Sequence, residues 1–428
     1  MHLKFLKDIS ALGGQRLFLL LVQTVTSVLV SRTLGPDHYG ALAFAMSLAG
    51  FCALPAMSGM APLMVREAGR SEEQRDWHSL STVVSKANLW TILISLTAMT
   101  LMISYAIVYI DTDNRKTALL LAALFIPLIS LTAIYSSLLQ GFGQAVYSQS
   151  LEWMMTPFIY GFLVMILWVN TALTIETAIS ASLISILIPL VFMIFKTTMK
   201  ITDLSLGQFI LKDLFKSKPD MKWLAVLTPF FLLSLSGSLN NYIPSLLLGF
   251  KTNDYLVGIY RVSESISAMT AMPLLLVNML IGRQFVALYA RKDMAGIEDL
   301  GRKSARVTFI MAAIFAAILF WFGREILEFL YGKAFVGSYD SLIILVLGQI
   351  VNVGSGSVAL ILNMTGFERD TVKVLLISTV LNISLCMVLV PLWQETGAAI
   401  ASAASLSLWN AGLVRLVHQK LAIRISVI

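Results

Sequence analysis

The chain has 428 residues, of which 57% are hydrophobic and 13% charged, and its formal net charge is +7. A water-soluble domain does not need so apolar a composition, because single hydrophobic cores stop growing at about 250 to 300 residues. The composition therefore excludes a soluble globular protein and predicts a protein embedded in a lipid bilayer. No soluble basic face for nucleic acid is present, so the positive charge indicates topology and contact with anionic head groups.

Twelve apolar segments are long enough to cross the hydrocarbon layer, which takes about 20 helical residues. They cover residues 10–30, 39–60, 81–110, 117–139, 153–169, 173–195, 223–248, 255–280, 308–330, 342–362, 374–392 and 398–417. The predicted fold class is an all-α polytopic membrane protein with about twelve transmembrane helices. We expect one half at 1–200, a cytoplasmic amphipathic connector at 201–221, and a second half at 222–428. A plain solvated basic loop fits the composition of the connector equally well.

Lysine and arginine residues collect in alternate segments between the spans, which sets the predicted orientation because these residues stay on the cytoplasmic side. One set of alternate segments carries 23 of them and the opposite set carries 7. The basic set contains both chain ends, so we expect cytoplasmic N and C termini. Lys4 and Lys7 precede an apolar run too long for a secretory signal, which predicts an uncleaved signal anchor.

Three pairs of similar segments, about 220 residues apart, indicate that the two halves are related, as in many transporters. HYGALAFAMS contains Gly40 and resembles LVGIYRVSES, which contains Gly258. The segment around Gly143 corresponds in the same way to the segment around Gly366. ETAISASLIS finally resembles ETGAAIASAASLS near the C terminus. The shared order and offset predict two repeats of six spans.

Polar residues within apolar spans are costly in hydrocarbon and tend to face a cavity. In the first span Gln23 and Ser27 lie within about 20° of Arg16 on an ideal helix, which gives the span one polar stripe. Arg16 is also close enough to the cytoplasmic end to reach the head groups. Because the stripe continues beyond that reach, we favour a cavity.

The second half carries a larger set of such residues. Arg261 and Glu264 are three apart on one helix face, so they form an ion pair or are simply solvated, with Asn278 expected on the same side. Gln349, Asn352 and Asn363 are expected to share one sector of a helix. Interhelical hydrogen bonding explains these residues as well as substrate binding does. The candidates of this half are Asn240 and Asn241 beside Pro244, Arg261, Glu264, Asn278, Gln349, Asn352 and Asn363.

Enzymatic chemistry has little support in the sequence. The predicted external loops are too short for a catalytic domain, and no G-x-x-x-x-G-K-[ST] phosphate loop occurs. Cys52 and Cys386 both fall within spans, which suggests neither a disulfide nor a metal site. We predict no catalytic residue, metal or cofactor, and whether a proton or sodium gradient drives transport stays open.

Three segments resemble polysaccharide exporters. SRTLGPDHYGALAFAMS resembles their first external turn, and LNMTGFERDTVKVLLISTVLNISLCMVLVPLWQETGAAIASAAS resembles their tenth to twelfth spans. IYRVSESISAMTAMPLLLVNMLIGRQFVALYARKD extends the similarity over nearly the whole chain. The sequence is therefore similar to Wzx-type O-antigen and polysaccharide flippases, the polysaccharide transport family of the MOP superfamily.

The resemblance implies a V-shaped pair of six-helix lobes that opens alternately to the two sides of the membrane. It implies transport of an undecaprenyl-diphosphate-linked oligosaccharide, such as an O-antigen repeat unit for lipopolysaccharide biosynthesis, from the cytoplasmic to the periplasmic leaflet of the bacterial inner membrane. Membrane lipids, a polysaccharide polymerase and a chain-length regulator are the implied partners.

Residue roles follow from helical position and not from a family motif. Arg16, with Arg261 second, would contact the anionic diphosphate, for which arginine is an apt partner. The asparagine candidates would contact sugar hydroxyls.

Two alternatives come from other classes. MATE-like cation-coupled multidrug antiporters share the superfamily fold but place acidic residues in the membrane. Here the first span carries Arg16, and Glu152, Glu176 and Glu264 lie near predicted span ends, so this alternative ranks second. A membrane-embedded polymerase or ligase would carry a long periplasmic loop, which the sequence lacks.

Overall fold

The computed structural model describes the backbone of residues 2–202 and 239–427, and the side chains of 21–200 and 239–427. Within these ranges the backbone is helical apart from short turns and contains no β-strand. Nine helices of the described residues are long and apolar enough to cross a membrane. The count of twelve spans stays a prediction, and the predicted connector at 201–221 falls almost wholly outside the described residues.

The helices are named here in chain order. They are α1 (His2–Met57), α2 (Met60–Gln74), α3 (Trp77–Tyr109), α4 (Asp113–Ala122), α5 (Phe125–Gly141), α6 (Ala145–Ser150), a π-helical turn (Leu151–Met155), α7 (Thr156–Val169), α8 (Ile175–Thr202), α9 (239–251), α10 (Asp254–Met269), α11 (Met272–Ala290), α12 (Met294–Tyr331), a 3₁₀ turn (Lys333–Ser338), α13 (Tyr339–Ser355), α14 (Val358–Met364) and α15 (Glu368–Leu421).

Polar residues at the turns begin several of these helices. The side chain of Asp76 accepts a hydrogen bond from the Ser79 amide at the start of α3. Asn253 and Asp293 do the same for α10 and α12. Each cap satisfies a backbone donor that the helix leaves unpaired, so these turn residues set where the apolar helices start.

Two helices are continuous where the sequence predicts separate spans. The backbone of α1 kinks at Gly35 (φ 75°, ψ 169°), between the predicted spans 10–30 and 39–60. In α15 the kink falls at Trp393 and Gln394, between the last two predicted spans. Non-helical dihedral angles at one or two residues redirect the helix axis at these places. Each of these predicted boundaries between two spans is therefore a kink in one long helix.

Three predicted spans are interrupted in the structure. Segment 117–139 is divided between α4 and α5, and segment 255–280 between α10 and α11. Segment 342–362 is divided between α13 and α14, because Gly356 has φ 74° and ψ −158°. A residue with these angles ends the helix, and glycine tolerates them best because it has no Cβ. Hydropathy does not report such breaks, since both sides of each break are equally apolar.

The chain forms two compact units. The first contains Met1–Phe18, Gly35–Gly40 and Ile243–Ile428, and the second contains Leu19–Leu34 and Ala41–Tyr242. The predicted division at 1–200 and 222–428 stays a prediction.

The core of the first unit includes Phe285, Ile297, Ile361 and Leu413, each fully buried. These residues come from α11, α12, α14 and α15, so the core joins four helices that lie far apart in the sequence. Part of this core also comes from the non-helical residues that follow α15, where Ile423 and Ile425 are buried.

The core of the second unit is centred on α2, α3 and α5. Met64 and Ala68 of α2, Leu80 of α3 and Leu138 of α5 are fully buried within it. Residues 60–74 were counted among the basic inter-span segments, but they form an amphipathic helix whose buried residues recur at helical spacing.

Gly40 and Gly258 meet inside the first unit. A Cβ built on Gly40 would overlap the carbonyl oxygen of Asp254, and one built on Gly258 would overlap that of Pro36. The two contacts are reciprocal, and both neighbours are backbone atoms that cannot rotate away. The paired segments of the predicted repeat are therefore in direct contact at their glycines, which allow the two backbones to approach closely.

Candidate functional site

The candidates of the first span are only partly described. The side chain of Arg16 lies outside the described residues, so its role stays a prediction. Gln23 is exposed on α1. In α9, Asn240 is half-buried and Asn241 exposed, beside Pro244 as the sequence predicts.

Arg261 and Glu264 form an ion pair on α10. The Nη1 atom of Arg261 lies 2.5 Å from Oε2 of Glu264, and the two side chains are 41% and 29% exposed. The spacing of three residues brings the groups together on one face, as predicted. The charges neutralise each other, so the pair is a weaker anion site than an isolated arginine.

An amide chain joins α13 and α15. Asn352 Nδ2 donates to Gln349 Oε1 over 3.1 Å, and Asn410 Nδ2 donates to Asn352 Oδ1 over 3.1 Å. Asn410 also donates to the carbonyl of Leu406 over 2.9 Å and is only 2% exposed. Amides both donate and accept, so this chain offers groups of the kind that bind sugar hydroxyls.

Two predicted neighbours are not where ideal helices place them. Asn363 is exposed on α14, beyond the helix end at Gly356, so it does not continue the stripe of Gln349 and Asn352. Asn278 lies on α11, after the break that ends α10, and its Oδ1 accepts a hydrogen bond from Ser357. Projection on one straight helix fails at both places because the helix axis changes direction.

A second polar cluster lies in the second unit and was missed as a group. Ser136 Oγ donates to Glu152 Oε2 over 2.8 Å, and the hydroxyl groups of Ser136 and Ser148 are 2.8 Å apart. Gln140 Nε2 donates to Ser136 Oγ over 3.3 Å. Glu152 lies on the π-helical turn, and such turns are frequent at functional sites. An acidic residue at the start of an apolar segment was the available signal.

Asn410 was also missed, although it falls within the predicted span 398–417. The signal was the amide itself, which is costly in hydrocarbon unless it finds a partner. Its partner Asn352 is 58 residues away, which the sequence pattern does not reveal. The described candidates therefore form separate groups: an ion pair on α10, an amide chain between α13 and α15, and an acid–hydroxyl cluster around Glu152.

Several solved structures share the fold. A multidrug resistance MATE family transporter of the MOP superfamily, in an inward-facing conformation, aligns at 14% identity over 96% of this chain and 98% of that chain, with a TM-score of 0.75. The lipid II flippase MurJ, in an inward closed conformation, aligns at 15% identity over 94% and 86%, with a TM-score of 0.69. A MOP superfamily transporter from Pyrococcus furiosus aligns at 16% identity over 97% and 96%, with a TM-score of 0.61.

These likenesses confirm the predicted fold class, an all-helical fold shared with MATE transporters and MurJ. Those structures are described as transporters and a flippase. No curated protein matches the sequence.

The sequence itself matches one family model. The model describes a polysaccharide biosynthesis protein and covers residues 5–283, about two thirds of the chain. This match confirms the resemblance to polysaccharide exporters that the sequence motifs indicate. The chain belongs to the polysaccharide biosynthesis protein family.

Proposed function

We propose that the chain is a flippase that moves an undecaprenyl-diphosphate-linked oligosaccharide from the cytoplasmic to the periplasmic leaflet of the bacterial inner membrane. The observation that carries the proposal is membership of the polysaccharide biosynthesis protein family. The shared fold with a lipid II flippase supports it, because that relative is named for moving a lipid-linked substrate. An O-antigen repeat unit or a related surface polysaccharide is the proposed cargo.

Each candidate residue is assigned to the part of the cargo that its side chain is suited to bind. Arg16 contacts the diphosphate, since arginine binds phosphate through charge-assisted hydrogen bonds. Gln349, Asn352 and Asn410 supply amides for hydroxyl groups. Arg261 is a weaker anion contact than Arg16, because Glu264 already neutralises it.

The orientation of the chain and its partner proteins belong to the same proposal. Both termini lie in the cytoplasm. A polysaccharide polymerase and a chain-length regulator act on the cargo after release.

The test uses a strain that lacks this gene and carries the glycan pathway. Wild-type protein restores surface glycan, whereas Arg16→Ala does not, and both insert in the membrane at equal levels. Lys333→Ala is the matched control, because Lys333 is a cation that is 89% exposed and has no assigned role. Full glycan display with Arg16→Ala overturns the anion role of Arg16. Full display in the gene-deleted strain itself overturns the flippase proposal.

A multidrug antiporter is the second candidate, favoured by the fold likeness to a MATE transporter. That function requires an acidic residue in the membrane to carry the coupling ion, and Glu152 is a candidate, because its carboxylate accepts a hydrogen bond from the Ser136 hydroxyl. Under this alternative, Glu152→Gln abolishes drug resistance. Under the flippase proposal, gene deletion leaves drug susceptibility unchanged and removes surface glycan.

A further inference from the structure

A cavity of about 480 Å³ lies inside the first unit, near the end of α15. Val351 and Ser355 of α13 line one side, and Arg415 and His418 of α15 line another. The residues that follow α15, including Arg424, form a further wall. None of these residues has a role in the proposed function.

The wall formed by residues 423–426 is held in place. Ala422 adopts a left-handed conformation (φ 56°, ψ 28°), which turns the chain after Leu421. Ile423 and Ile425 are then buried at 3% and 2% exposure, while Arg424 between them is exposed. The amide of Val427 donates to the carbonyl of Gly354 over 2.9 Å and ties the segment back to α13. The cavity is therefore bounded by fixed backbone on this side.

Three cationic or titratable side chains converge on the cavity. Arg415 and His418 are three apart and share one face of α15, and Arg424 approaches from the segment after the helix. Within the described part of the chain, no carboxylate pairs with these three side chains. Neighbouring Lys420, by contrast, is paired with a carboxylate, since its Nζ lies 3.2 Å from Oδ2 of Asp370. The cavity thus carries uncompensated positive charge.

The remaining lining is apolar, and its position suits a lipid. Val414, Val417 and Ile423 contribute aliphatic surface beside the two arginines. The candidate membrane span Glu368–Leu421 ends beside the cavity. Arg415 lies six residues before that end, about 9 Å along the helix axis. A position near the end of a membrane helix allows a long cationic side chain to reach the lipid head groups.

We propose that this cavity binds the phosphate head group of an anionic membrane phospholipid, through Arg415, His418 and Arg424. Basic pockets between membrane helices bind anionic lipid head groups in this way. Arginine is suited to the contact because its planar donors match phosphate oxygens. The aliphatic lining accommodates the first part of the acyl chains. The inference stands apart from the proposed function, because it uses none of the residues assigned to the transported cargo.

The test measures lipid binding to the full-length protein. Delipidated protein in detergent is titrated with phosphatidylglycerol, phosphatidylcholine or inorganic phosphate, and bound molecules are counted by native mass spectrometry. We expect phosphatidylglycerol to bind well above phosphatidylcholine. The Arg415→Gln/Arg424→Gln variant should bind phosphatidylglycerol about tenfold more weakly, as expected for the loss of charge-assisted contacts.

The matched control removes the same amount of charge elsewhere. Lys303 and Lys373 are 72% and 73% exposed and pair with acids on their own helices, so Lys303→Gln/Lys373→Gln should retain wild-type binding. Equal loss in both double variants would mean that net charge alone attracts the lipid, and would overturn the proposal. Binding of inorganic phosphate as tight as that of phosphatidylglycerol would overturn the lipid assignment.

A second pair of variants tests whether the lipid binds within the cavity, while both arginines are retained. Ala411 lines the cavity and is exposed, so Ala411→Trp fills it without removing an arginine or a core side chain. Gln419→Trp places the same bulk at an exposed position outside the lining. The proposal expects Ala411→Trp to weaken phosphatidylglycerol binding and Gln419→Trp to leave it unchanged. Unchanged binding in both tryptophan variants would contradict binding inside the cavity.

Discussion

Asn410 connects two helices through a single side chain. It is 2% exposed, donates to Asn352 on α13, and also bonds the backbone of its own helix through Leu406. A buried amide without partners is costly, so the pairing with Asn352 offsets the burial of Asn410. At the residue scale, therefore, the same amides that suit a sugar hydroxyl also hold α13 against α15.

Replacing Asn410 by leucine should lower the free energy of unfolding by about 1–3 kcal/mol, because the Asn352 oxygen loses its donor in a partly buried setting. The measurement is the thermal unfolding midpoint of the purified protein in detergent. Asn363→Leu is the control, since Asn363 is exposed and should leave the midpoint near that of the wild type. Equal midpoints for the two variants would show that the amide chain adds no stability.

At the scale of elements, α1 and α10 approach each other at Gly40 and Gly258. Each glycine faces a backbone carbonyl of the other helix, Asp254 for Gly40 and Pro36 for Gly258. Backbone atoms cannot change rotamer, so an added methyl group requires the helices to separate. The similar segments of the two predicted repeats therefore depend on the absence of a side chain at matching positions.

Gly258→Ala should destabilise the protein by about 1–3 kcal/mol, the usual cost of overfilling a packed contact. Gly282→Ala is the matched control within a helix, because its Cβ would lie 3.7 Å from Leu360 Cδ1, an ordinary contact distance. That control should be neutral or stabilising by about 0.5–1 kcal/mol, since alanine favours helix interiors. Chemical unfolding of both variants provides the measurement, and equal stability of the two would refute a close crossing.

At the scale of the whole molecule, the arrangement of charge sets the expected orientation in the membrane. Basic residues favour one set of alternate segments by 23 to 7, and both chain ends belong to that set. The side of the membrane on which the cargo is loaded depends on this orientation.

A fluorescent protein fused after Ile428 should therefore fluoresce, because that fold matures in the cytoplasm, and alkaline phosphatase at the same site should be inactive. Fusions truncated after Asp111, in the opposite set of segments, should give the reverse result. Active phosphatase after Ile428 would invert the orientation and contradict cytoplasmic termini.

The sequence predicted where the apolar helices lie, but it did not predict where they are interrupted. Apolar segments were found where the described helices lie, because lipid exposure requires apolar side chains over a whole span. The breaks near Gly356 and between α10 and α11 were missed, because they depend on backbone angles within equally apolar runs. The ion pair of Arg261 and Glu264 was predictable, since both residues lie on one helical turn.

Composition and hydropathy alone thus determined that this protein is a helical membrane protein, and the charge pattern gave an expected orientation. These properties depend on transfer from water to lipid, which is a sum over residues and can be read along the chain. Only the tertiary structure decided that Asn410 meets Asn352, that Gly40 faces Asp254, and that Arg424 turns back towards Arg415. Such contacts join residues far apart in sequence, and packing geometry selects them among many amides, glycines and arginines that local pattern cannot distinguish.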